Sequence, residues 1–405
     1  MEQKIKIVLQ KGARIPDPRT VTIGDDVDTD RLAGQGVTLY PGTRIFGADT
    51  FIAEGVQIGA EGPVTIENCA VGPQVALKGG FFSGAVFLQK ASCGSGAHVR
   101  QGTILEEASS IAHTVGLKQT ILFPFVTLGS LINFCDCLMA GGTSRKNHSE
   151  VGSSYIHFNF TPNQDKATPS LIGDVPQGVM LNKSPIFLGG QGGLVGPTLL
   201  AFGTVLAAGT ICRGDQLEEN HLVYGGKVRS GKIPYAPGGF SGLNRIIRNN
   251  CIYIANLYAL RQWYGRIRSQ FVGRDLPQEL LDALRTSLRT CIDERIRQLG
   301  RLGQKLGESR SANGTQHELT AKWPAVEGLL KDLESFEGAA ESLDAFSAVV
   351  VQKMTEIGKS YLGVVQGFSS EQAAVGTQWL ESIVSRVMND LTQHLPIIGA
   401  PKPHQ

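Results

Sequence analysis

Leu188, Leu194, Leu200 and Leu206 fall six residues apart in FLGGQGGLVGPTLLAFGTVLAAGTI, with Leu199, Val205 and Ile211 as a second series beside them. Six fits neither the 3.6-residue turn of a helix nor the two-residue alternation of a lone strand. It is the period of a solenoid in which each short strand sends one aliphatic side chain inward before the chain turns a corner. Gly203 and Gly209 mark such corners, because glycine takes positive φ without a Cβ clash. Leu39, Ile45 and Phe51 show the same period, and Ile52, Ile58 and Val64 continue it after a one-residue slip. The spacing predicts a parallel β-helix over about residues 20–225, with the four leucines stacked inside one face. Between residues 78 and 185 the phase breaks, and stretches such as SRKNHS and VPQGVMLNKSP are expected to leave the solenoid as loops on one face.

Fifty glycines in 405 residues exceed the ordinary share of about 7%, and they concentrate where the corners are expected. A net charge of +2 argues for neither nucleic acid nor a membrane surface as partner. Seven cysteines without CxxC spacing read as reduced thiols, with no metal site. The opening MEQKIKIVLQKG lacks a signal-peptide core, and no segment reaches the ~20 apolar residues of a membrane span, so the expected location is cytoplasmic.

After RSGKIPYAPGGFSG the pattern changes. Ile246, Ile247, Ile254, Leu257, Leu260 and Tyr264 recur at helical spacing, as do Leu280, Leu284, Leu288, Ile292 and Ile296 beyond a break at Gly273–Pro277. Asp275 is a candidate helix start, and further helices are expected near 325–336, 339–360 and 370–394. The fold class is thus mainly β: a left-handed parallel β-helix followed by an all-α C-terminal domain. The boundaries are 1–228 for the solenoid, 229–242 for a linker, 243–395 for the helices and 396–405 for a tail. Six arginines on the first long helix, Arg245 to Arg274, are interleaved with aromatics, a mix that can bind nucleic acid. Without a binding motif they read instead as a solvated or helix-packing face.

Four stretches carry a resemblance to a known family: IPDPRTVTIGDDVDTD, AHVRQGTILEEASSIAHTVGLK, SEVGSSYIHFNFTPNQDK and the hexapeptide run itself. Over roughly residues 12–225 the chain resembles the left-handed β-helix acetyltransferase domain of the bifunctional UDP-N-acetylglucosamine pyrophosphorylase/glucosamine-1-phosphate N-acetyltransferase family. That resemblance implies acetyl-CoA as co-substrate, an amino-sugar phosphate or nucleotide sugar as acceptor, and a homotrimer with active sites between subunits. It also implies that Arg100 and Lys118 hold the phosphate, that Lys166 assists them, and that Asn159 contacts the sugar, with Phe160 where the family has tyrosine. Gly190 and Ala208 fall where backbone lines the acetyl-CoA groove. The family's nucleotidyltransferase signature, a Gly-rich loop followed by a basic residue and a Pro-Lys pair, is not found before residue 120. GGQGGLVG at 189–196 reads as corner glycines.

The departure is at the catalytic centre. Aligned from Lys118, the family's general-base histidine becomes Ser130, its orienting glutamate becomes Gly116 and its substrate tyrosine becomes Asn133. A serine hydroxyl does not take a proton from an amine at neutral pH, whereas imidazole does. A second register puts His157 at the base position, and His157 is the expected catalytic residue, with His113 and His148 as substitutes. Two functions follow: an acyltransferase, or a sugar-phosphate-binding or scaffold protein that has lost its base.

Overall fold

The computed structural model describes residues 2–159, 166–225, 231–232, 234, 242–308 and 317–399. Residues 20–223 wind into a left-handed parallel β-helix of triangular section. Its first and second faces carry ten short strands each, and its third face carries eight. Leu188 stacks on Leu206 in the first face, while Leu194 lies on the second and Leu200 on the third. All four are buried. The six-residue period therefore steps around the prism, and a residue meets its like only after three steps. This corrects the expectation of one leucine-lined face.

The ladder also continues through the stretch where the period fades. Leu77 stacks on Cys93, Cys93 on Ile111 and Ile111 on Leu128, at unequal sequence spacing, so the phase slips although the strands stay in register. Among the described residues, a hairpin at Gly142–His148 and helix α2 at Val175–Gly178 leave it. Both leave at the corner between the third and first faces. Corners are not reserved for glycine: Thr114, Leu131, Ser154 and Gln191 take φ of 57°, 60°, 63° and 53°. There the stacked backbone hydrogen bonds impose a conformation that an isolated chain disfavours.

Helix α1 (Glu2–Gln10) precedes the first rung and buries Ile5 and Val8 against it. The long C-terminal helices are α3 (Leu243–Gln262), α4 (Gln278–Glu308), α5 (Glu318–Leu333), α6 (Ala340–Ile357) and α8 (Ser370–His394), with short α7 at Tyr361–Gln366. Ser369 and Gln372 form a reciprocal cap at the start of α8. Most of the 229–242 linker lies outside the described residues, and Ile398, in the tail segment, is buried. Among the described residues no helix is long and apolar enough to cross a membrane.

The helices lie along the third face. Strands Ala85–Phe87, Thr103–Leu105, Cys137–Met139 and Ser170–Ile172 are consequently buried on both sides, whereas first-face strands alternate buried and open positions. Helix α3 is buried on nearly all sides, as a helix between two layers must be. Polar pairs fix the docking. Arg268 is fully buried, bonds both carboxylate oxygens of Glu107 at 3.1 and 2.5 Å, and lies over the Tyr361 ring at 3.7 Å. Tyr264 donates to Glu106 Oε1 at 2.5 Å. Arg268, in the short turn after α3, thus packs its charge inward, while Arg266 and Arg274 of the same series stay exposed.

Candidate active site

The second face holds the residues singled out by the sequence along its two edges. Strand pairing sets Val99 beside Leu117 and Lys118 beside Cys135, so Arg100, Lys118 and Cys135 end three successive rungs at the edge toward the third face. Successive rungs are ~4.8 Å apart. Burial raises the Cys135 thiol pKa, Asp136 adds to the rise, and the positive fields of Arg100, Lys118 and Lys166 oppose it. Arg100 and Lys118 thus sit on successive rungs, and all three predicted cations are within electrostatic reach of the Cys135 thiol. Asn159 follows the next rung and accepts a hydrogen bond from Thr168 Oγ1 at 3.4 Å. Phe160 lies outside the described residues.

Behind this cluster stands a pair of groups brought together only by the packing of the two layers. Arg295 of α4 is buried, pairs with Asp136 at 2.8 Å and donates to the Lys166 carbonyl at 3.2 Å. Burial raises the Asp136 carboxyl pKa, with Arg295 pulling against it. The helical layer thereby holds the segment that carries Lys166. Aspartate and arginine lie far apart in sequence and belong to different layers, so no local spacing announces the pair.

The opposite edge, toward the first face, is a column of equivalent corner residues. The Leu131 amide donates to the His113 carbonyl, Ser154 to Ser130, Gln191 to Ser153 and Gly209 to Gly190, at 3.2, 2.8, 2.8 and 2.9 Å. His113, Ser130, Ser153, Gly190 and Ala208 are thus consecutive members of one column. Its flank admits only glycine where rungs touch: a Cβ on Gly152 meets the Gly190 nitrogen at 2.4 Å, and one on Gly189 meets the Ala208 nitrogen at 2.4 Å. Gly190 and Ala208 were assigned separately from Ser130, yet they continue its line. Ser130 Oγ lies 2.8 Å from His113 Nδ1, and Ser153 Oγ accepts the Ser130 amide proton at 3.2 Å.

Between the edges lie Gly116 and exposed Asn133, paired across strands. The strands run two residues from Gly116 to Lys118, about 7 Å at ~3.3 Å per residue. That is the span of a sugar ring with one substituent.

His157 is not on this surface. It pairs with inward-facing Leu194, packs edge to face on Phe134 at 6.5 Å, and its Nε2 is 2.8 Å from Ser170 Oγ. Burial pushes its imidazole pKa down to about 4, a hydrogen bond to the Cys135 backbone opposes the shift, and Arg295 adds to it. His148 sits on the hairpin, with Nδ1 3.0 Å from the Arg145 carbonyl. A cavity of about 620 Å³ opens elsewhere, between α4 and earlier rungs. Its lining includes Asp49, Glu67, Glu279 and Asp282, charges unsuited to a phosphate.

No protein-family model matches the chain. It is 27% identical over 229 residues to the bifunctional protein GlmU of Corynebacterium jeikeium, covering 56% of this chain and 41% of that one. The GlmU of Thermotoga maritima is 26% identical over 214 residues, covering 53% and 42%. The chain thus spans under half the length of these relatives. Among solved structures, LpxA from Acinetobacter baumannii aligns with 69% of this chain and 95% of its own at 13% identity, with a TM-score of 0.20. In its sequence, the solenoid half of this chain resembles the left-handed β-helix acetyltransferase domain of the bifunctional UDP-N-acetylglucosamine pyrophosphorylase/glucosamine-1-phosphate N-acetyltransferase family.

Proposed function

We propose that the protein is a cytoplasmic acyltransferase that moves an acetyl group from acetyl-CoA to the amine of an amino-sugar phosphate or nucleotide sugar. The observation that carries this reading is the stacking of Arg100 and Lys118 on successive rungs at one edge of the second face, with Lys166 within electrostatic reach, opposite the corner column that ends in Gly190 and Ala208. A phosphate needs fixed cations; arginine offers it a planar fork and lysine a point charge. The sugar would lie across Gly116 and Asn133 with Asn159 against it, and the thioester would run along the column. A homotrimer fits the same reading. Phe187, Val205 and Leu222 pair across the last rungs of the first face and are 40%, 36% and 61% exposed, an apolar stripe that a second copy would cover.

One observation favours a second reading. With Ser130 at the family's base position and His157 turned inward, a protein that keeps the phosphate clamp but does no chemistry would look the same at both edges. A thermal-shift screen of glucosamine-1-phosphate and UDP-sugars, run beside an assay for thiol release from acetyl-CoA, separates the two. Stabilisation with thiol release is the expected result. Stabilisation without release supports the binding protein, and neither one overturns both.

A further inference from the structure

The proton acceptor missing from the family position is supplied one rung away. We infer that His113, acting through the Ser130 hydroxyl, is the base for acetyl transfer; this inference rests on the acetyl-transfer reading above. Ser130 Oγ lies 2.8 Å from His113 Nδ1. Both residues precede a left-handed corner, Thr114 at φ 57° and Leu131 at φ 60°, so both side chains leave the backbone in the same geometry. The His113 carbonyl accepts the Leu131 amide at 3.2 Å, and Ser153 Oγ accepts the Ser130 amide at 3.2 Å, which fixes the serine from both neighbouring rungs. His113 is exposed, at the same edge of the second face as Ser130.

The other histidines among the described residues are placed for other tasks. His157 is committed to Ser170, His148 to the Arg145 carbonyl and His98 to stacking on Phe81 at 5.3 Å. His221, His317 and His394 bond to the Glu219 carbonyl, the Leu319 amide and the Asp390 carbonyl. Among the described residues, His113 is the one histidine whose ring meets the serine at the base position.

The step balances as follows. The acceptor amine attacks the thioester carbonyl carbon and forms the C–N bond. As it does so, one N–H proton passes to Ser130 Oγ while the serine's own proton passes to His113 Nδ1. The C–S bond breaks, and the imidazolium returns its proton through Ser130 to the departing thiolate. The products are an amide and free CoA thiol. Neutral His113 must carry its proton on Nε2, leaving Nδ1 to accept from the serine. Serine alone is a poor acceptor, and the pair removes that objection.

The test uses the full chain with acetyl-CoA and glucosamine-1-phosphate. Ser130→Ala and His113→Ala are each expected to lower kcat by ~10²–10⁴-fold with KM unchanged. The double variant should fall no further, because the two act as one unit. Ser130→Thr keeps the hydroxyl and most of the rate, and Ser130→His in the His113→Ala background restores turnover by placing imidazole directly. In the free protein, Ser130→Ala should move the ¹⁵N resonance of His113 Nδ1. If the wild type turns over and both alanine variants match it, the relay is overturned while the acetyl-transfer reading stands. An unmoved ¹⁵N resonance also overturns the relay, whatever the rate. If the wild type binds the sugar phosphate yet releases no thiol, the acetyl-transfer reading falls and the relay with it.

Discussion

His157 and His113 show how far one residue's surroundings decide its chemistry. The two share a side chain, but His157 occupies an interior position and His113 a corner. Its burial gives His157 a signature in stability. The folded imidazole has a pKa of about 4 against 6.5 when free. The unfolded chain therefore takes up the proton first as pH falls, and stability present above 6.5 is lost on the way down through 4. Urea midpoints of the wild type should fall steeply between pH 6.5 and 4, and His157→Gln should flatten that stretch. An equal slope in the variant would place the acid sensitivity elsewhere. The sequence could not make this distinction, because inward and outward positions alternate along a strand and a one-residue slip exchanges them. VGSSYIHFNF offers two registers, and only the pairing of His157 with Leu194 selects one.

At the scale of the element, the hexapeptide run announces the solenoid because its inward positions are uniformly aliphatic. The middle rungs hide it because Cys93, Phe82 and Phe134 take inward places and the corners vary in length. The helices were legible from their apolar spacing, with α6 and α8 close to the expected bounds and α5 starting earlier. What the helices cover was not legible, since an amphipathic stripe does not name its partner. Two substitutions test the solenoid. Leu194→Asp buries an unpaired carboxylate and should cost several kcal/mol by chemical denaturation. Val205→Asp, 36% exposed in the first-face stripe, should leave the denaturation midpoint of an isolated chain nearly unchanged and lower the assembly state in sedimentation. Equal losses from both would mean that the inward and outward assignments are wrong.

Across the whole molecule, the third face joins two layers that sequence spacing treats as separate, and its polar pairs tie docking to pH. Arg268→Ala strands Glu107 in the interface, with an expected loss of about 3–5 kcal/mol for a broken buried pair. Burial holds the Glu106 carboxyl up at about 7, with Arg268 opposing and Glu107 adding. An unfolded glutamate near 4.5 gives up its proton earlier, so stability complete below 4.5 declines as pH rises through 7. Glu106→Gln still accepts from Tyr264 and should raise the melting temperature more at pH 8 than at pH 5. A gain equal at both pH values would show that Glu106 ionises without cost. The same layer reaches the proposed phosphate clamp through Arg295, which pairs with Asp136 and holds the Lys166 carbonyl.

Titration calorimetry with glucosamine-1-phosphate, on the wild type and on an Arg100→Ala/Lys118→Ala double variant, asks whether the second face is an anion-binding surface at all. The wild type should bind, and the double variant should lose that binding while its melting temperature stays close to the wild-type value, since Arg100 is exposed and Lys118 half-buried. Binding that survives the double substitution would contradict the clamp, and with it the assignment of this face to a sugar phosphate.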